Sequence, residues 1–265
     1  MKSLLLCVSS VLLIGFCLPG QAFARGGAAN TNIPIGPGIS HPSSTSVFFR
    51  ENPAGHSLYK GFNLQLMGAA ADDDSDTKTA GAAILYGMSD FGFSLGATAS
   101  DDGDSATDED PVAYWGFGFH LSSIKTSIGF SGYVTKDAND DTVNGENLGV
   151  LINPGGGFSL GLVAYNAFDD VSAWGIGFNF GLNNDWSLSI DAIDYDGSDR
   201  TEIWPGVKYA SAKFEFAGGL QINEGGSGDD EDFFISLGIK PWSLMSLQLH
   251  YQLIQKYYAG LQISF

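Results

Sequence analysis

The chain has 265 residues, a formal net charge of −18, 36 glycines and 13% aromatic residues. So acidic a chain has no basic footprint for nucleic acid, and no nucleic-acid partner is expected. Its mean hydropathy of +0.04 is high for that charge, and glycine with aromatics in short, evenly spaced runs points to a barrel.

Residues 1–24 read as a secretory signal. Lys2 supplies the positive start, Leu4 to Leu18 the apolar stretch, and Ala22-Phe23-Ala24 a small-x-small cleavage site. The stretch is too short to span a bilayer. A lipoprotein signal ending at Cys17 is the alternative, but Phe16 stands where such signals take a small residue. Both cysteines, Cys7 and Cys17, fall inside this segment, so the exported chain is expected to carry no disulfide. Export of a β-rich chain implies the outer membrane of a Gram-negative envelope.

Residues 25–59 form a lead-in. Residues 25–46 are rich in Gly, Pro, Asn and Ser and have no usable period. An apolar block follows, Val47-Phe48-Phe49, and then Arg50-Glu51-Asn52-Pro53-Ala54-Gly55. Asn-Pro favours a turn.

From residue 60 to 265 the pattern is strict alternation, the mark of strands with one apolar and one polar face. Phe91, Phe93 and Leu95 share a face, opposite Gly92, Ser94 and Gly96. Trp174, Ile176, Phe178 and Phe180 stand opposite Gly175 and Gly177. The final hairpin places Tyr257, Ala259, Leu261, Ile263 and Phe265 on one side. Counting such runs predicts about fourteen strands, an even number, as single-chain bacterial barrels have. The second face is small or polar and almost uncharged. A water-soluble sandwich would put charge there, whereas a membrane barrel turns its apolar face to lipid and its small polar face to the lumen. The fold expected is therefore an all-β, antiparallel transmembrane β-barrel in contact with outer-membrane lipid. Short and long connections alternate, which puts the long loops outside the cell. Trp115, Trp174, Trp186, Trp204 and Trp242 lie near strand ends and are expected to form interfacial girdles. An aromatic residue ending the last strand, Phe265 here, is the usual signal read by the barrel-assembly machinery.

The long loops carry most of the acid, for example Asp72, Asp73, Asp74 and Asp76, and Asp101 to Asp110. Hydrated loops that keep the surface polar are the plain reading. Oxygen-only clusters also suit Ca²⁺ or Mg²⁺, but residues 101–110 lack a glycine at the sixth position and a regular ligand spacing. Divalent cations therefore remain only a possible partner of these loops, and no metal site and no cofactor is assigned. The histidines are His41, His56, His120 and His250. None has a catalytic partner nearby in sequence, so no catalytic residue is assigned and no enzyme is expected. The charges placed on the lumen face are few: Lys125, Asp191, Lys208, Lys213, Glu215 and Lys240.

The run VFFRENPAG, followed at once by an alternating strand, resembles the N-terminal segment of the FadL-type outer-membrane transporters of long-chain fatty acids and other hydrophobic compounds. In that family an NPA turn ends an N-terminal plug and starts the barrel. The resemblance implies a short plug over residues 25–59, with Val47, Phe48, Phe49, Arg50, Asn52 and Pro53 as its ligand and plug residues. Arg50 would face an acidic head group. It also implies passive uptake of small hydrophobic ligands through a plugged lumen. A non-specific diffusion porin and a structural or adhesive barrel are the alternatives.

Overall fold

The computed structural model describes residues 35, 37–40, 42, 51–59, 61–71, 78–101, 111–136, 141–155, 157–225, 231–242, 245–252 and 256–264. Residues 1–24, expected above to be a signal, and Val47, Phe48, Phe49, Arg50 and Phe265 lie outside them, as do residues 72–77 and 102–110 of the acidic loops.

The alternating runs become fourteen strands: β1 (Gly61–Ala71), β2 (Lys78–Gly87), β3 (Phe91–Asp101), β4 (Val112–Leu121), β5 (Thr126–Lys136), β6 (Thr142–Gly155) and β7 (Phe158–Tyr165), then β8 (Ala173–Gly181), β9 (Trp186–Tyr195), β10 (Thr201–Ala210), β11 (Phe214–Glu224), β12 (Glu231–Trp242), β13 (Met245–Gln252) and β14 (Lys256–Ser264). Each pairs antiparallel with its sequence neighbour, and β14 returns to β1 from Asn63↔Ser264 to Ala71↔Lys256. The sheet is thus a closed barrel with no free edge. A 3₁₀ turn, Pro53–Leu58, precedes β1.

Period-two alternation decides which side chain faces which solvent. On β3, Leu95 is 57% exposed while Ser94 is 1% exposed. Phe62, Leu66, Ile84, Leu162, Leu188, Leu220 and Ile235 are likewise exposed on the outer face. In water this would be an apolar patch far larger than soluble proteins carry, and a bilayer accounts for it. At the short-turn end the outer face carries packed aromatics: Tyr86 with Phe93, Phe91 with Phe119, Phe158 with Phe180, and Trp186 with Tyr209. They form the girdle that anchors such a wall at the interface.

Three sequence expectations need correction. Trp204 is no girdle residue: it is 8% exposed, faces inward, and packs tilted against Phe234 with ring centroids 5.7 Å apart. The reason is phase, since Ile203 and Val207 face out and Trp204 falls on the opposite face. Lys125 and Lys213 are not lumen charges either. Both are exposed in short connections, Lys125 with a left-handed φ of 50°.

Candidate functional site

The described part of the lead-in lies within the closed wall. Residues 51–59 and 35–42 meet inward side chains or glycines on strands from β2 to β12. Only a segment inside the barrel can reach all of them. Starting at Tyr59, which packs on Ala83 and Leu85, the segment passes the strands in order. The His56 carbonyl sits where Gly92 would carry a Cβ, and the His56 ring does the same at Gly116. Pro53 fills that place at Gly129, Asn52 at Gly149, and the Ile39 carbonyl at Gly161. Inward glycines therefore mark where another backbone touches the wall, a role glycine also plays in strand interiors elsewhere.

Asn52 and Pro53 start the 3₁₀ turn. Pro53 occupies its first position, where no N–H is needed. Asn52 Oδ1 accepts from the Ala54 N–H at 3.0 Å. Its Nδ2 donates to the Ile39 and Val150 carbonyls, each at 2.9 Å, and approaches that of Leu162 at 3.4 Å. One buried amide thus ties the turn to the earlier stretch and to the paired strands β6 and β7. The turn that the sequence shows is also the joint between lead-in and wall.

Further along, Ile39 is fully buried among Val163, Tyr165, Ala173 and Ile193. Ile35 is fully buried among Trp204, Ala217 and Phe234. Between these two cups lies Asp191 of β9, with no exposed surface. Asp191 Oδ2 accepts the Ile39 N–H at 2.7 Å. Its Oδ1 accepts the Ser40 hydroxyl at 2.6 Å and the Ser40 N–H at 3.3 Å. Ser159 Oγ donates to the Ser40 carbonyl at 2.7 Å. Nearer the short turns, Glu215 joins two lumen lysines, with Lys208 Nζ at 3.3 Å from Oε2 and Lys240 at Oε1.

His56 has the outline of a catalytic pair. Its Nδ1 donates to the Pro53 carbonyl at 2.8 Å, so Nε2 accepts from Ser94 Oγ at 2.7 Å. Yet the ring presses on Gly116 and both side chains are buried, leaving no space for a substrate. His56 lies off the membrane-spanning strands, and burial pushes its imidazole down to about 4, against the raising effect of the Pro53 carbonyl. It is a neutral strut. His120 faces inward as expected and meets Ser127 at 3.0 Å. Among the described residues no three His, Cys, Asp or Glu side chains converge as a metal site.

Asp191 and Glu215 were legible as inward charges from period alone. Ile35, Ile39, Ser40 and His56 were missed, because nothing in an aperiodic Gly/Pro-rich stretch marks which residue meets which strand.

No family profile matches the chain, and no curated protein does. Among solved structures the barrel is similar to the CymD monoaromatic hydrocarbon channel. The two share 11% identity over 92% of this chain and 98% of that one, with a TM-score of 0.59. It is also similar to the deltaS2S3 mutant of the TodX monoaromatic hydrocarbon channel, at 9% identity over 87% and 97% of the chains, with a TM-score of 0.53. The fold is that of an outer-membrane β-barrel. In such a barrel the exposed leucines and phenylalanines face lipid, and the glycine-rich inner face lines the lumen.

Proposed function

We propose that the protein is a passive outer-membrane channel for small, mainly apolar molecules, closed at rest by a plug formed from residues 25–59. The observation that carries this reading is the path of the lead-in, buried against the inner wall from β2 to β12. The FadL-type resemblance of VFFRENPAG supports it, and so do the two hydrocarbon channels of similar fold. The inner wall is lined by small and uncharged polar residues with few charges, so it offers little for sorting ions. In this reading Val47, Phe48 and Phe49 add apolar burial to the plug, and Arg50 meets acidic head groups. Phe265 is read by the barrel-assembly machinery. The acidic loops face the outside, where divalent cations would gather.

Removing residues 25–49 behind an intact signal tests the reading. The shortened protein should show a larger single-channel conductance in planar bilayers. Unchanged conductance in a folded barrel would show that these residues do not close the lumen. Proteoliposome uptake of a monoaromatic hydrocarbon against a sugar of similar size tests the substrate class. Equal rates would favour a non-specific porin.

A further inference from the structure

We infer that Asp191 is the releasable latch of the channel: its carboxylate holds residues 35–42 against the wall, and these residues leave while Pro53–Leu58 stays in place. The inference rests on the plug reading above and names how that plug opens.

Three observations carry it. Among the described residues the hydrogen-bond partners of Asp191 all come from the lead-in: the Ile39 N–H, the Ser40 N–H and the Ser40 hydroxyl. Gly38, in the left-handed region with φ of 68°, immediately precedes these two consecutive donors. Two adjacent N–H groups converging on one anion form a nest, the backbone arrangement that captures carboxylates. Second, no cation among the described residues pairs with Asp191. A buried carboxylate that none of these cations meets leans heavily on its hydrogen bonds. When residues 35–42 depart, water entering the lumen solvates the carboxylate in their place, so both states are satisfied. A neutral apolar anchor has no such exchange. Third, the wall is shaped for this group. Gly177, the register partner of Asp191 on β8, has no Cβ because Asp191 Oδ1 takes that space.

The latch differs in kind from the contacts around Pro53–Leu58. There, Asn52, His56 and Ser57 use neutral groups to meet wall carbonyls and hydroxyls. That stretch is also joined directly to β1, so it has nowhere to go.

The test is accessibility at a buried position of the lead-in. Ile39→Cys keeps the backbone N–H that donates to Asp191. Its labelling by a membrane-impermeant maleimide is read by peptide-resolved mass spectrometry, which separates it from Cys7 and Cys17. Combining it with Asp191→Ala or Asp191→Asn should raise the labelling rate at least ten-fold. Asp191→Asn keeps the side-chain shape and serves if the alanine variant does not fold. A parallel Ser94→Cys reporter, beneath His56, should stay protected in the same backgrounds. A smaller rise at position 39 in a heat-modifiable, folded barrel overturns the latch. Equal labelling at positions 39 and 94 also overturns it, because the barrel would then have loosened throughout. Should deletion of residues 25–49 open the channel while the Asp191 variants change nothing, the plug reading stands and the latch falls. Should the deletion also change nothing, the plug reading itself is wrong.

Discussion

Residues 51–59 and residues 35–42 touch the same inner wall by different means. The first stretch carries the buried Glu51 and then a capped 3₁₀ turn that runs straight into β1, and neutral hydrogen bonds from Asn52, His56 and Ser57 fix that turn. The second forms no helix or strand among its described residues and is held by two isoleucines, by the Asp191 carboxylate and by neutral hydrogen bonds from Ser159 and Asn52. Neutral bonds in a dry interface have little to gain from water, and a tethered turn gains little entropy on release. A carboxylate gains hydration when freed. One segment therefore contains a fixed brace and a detachable arm, and the boundary between them is the Asn52 amide, which bonds to both.

Crowding the brace should have the largest effect. Gly149→Ala places a methyl into the Asn52 amide and the Pro53 ring. It should cost about 3 kcal/mol, the upper part of the range for overpacking. The measurement is the denaturant midpoint of the heat-modifiable band, and a midpoint near that of the parent would mean that the brace does not bear on the wall. The matching change in the arm, Gly161→Ala, meets the Ile39 carbonyl. It should displace residues 35–42 and raise conductance, with a smaller loss of barrel stability.

Asn52→Ala comes next. It removes the donors to Ile39 and Val150 and the cap of Ala54. A loss of about 2 kcal/mol is expected, since buried partners are left unpaired. If brace and arm are joined by this amide, the same variant should also expose position 39 to labelling. Protection there would show that the arm is held independently.

Acid should loosen the brace through His56. Its folded value of about 4 lies below the ordinary value of 6.5. Between those values the released state binds the proton more readily, so stability is full above about pH 6.5 and falls as pH drops towards 4. At pH 5 the loss should be about 1–2 kcal/mol. His56→Gln would remove the pH dependence, and a barrel whose midpoint is flat from pH 7 to 4 would rule out His56 as its source. The smallest effect is expected on the outer face. Gly68 has no atom near the place of a Cβ, and Gly68→Ala should change the midpoint by less than about 0.5 kcal/mol. This contrast separates glycines that receive the lead-in from those that do not.

Much of the architecture was open to reading from the chain. Alternation over Phe91–Asp101 or Ala173–Gly181 specifies both strand and face, because a period of two survives in any sheet. The same rule, applied to Ile203 and Val207, already turned Trp204 inward, against its appearance as a girdle residue. Asn52-Pro53 announced a turn for local steric reasons. The closure of β14 on β1 follows from the membrane, which tolerates no free strand edge. What the tertiary structure alone decided is the meaning of the inner face. Gly92, Gly116, Gly129, Gly149 and Gly161 read along the chain as a row of small residues lining open space. Folded, each is a contact with a backbone or ring placed from about 35 to more than 120 residues away. Asp191 read as one inward charge among several, and the fold made it the acceptor for a segment 151 residues earlier. Such pairings carry no local signal. They depend on which strand comes round to face the lead-in once the barrel closes, and that is set by the number and register of all fourteen strands together.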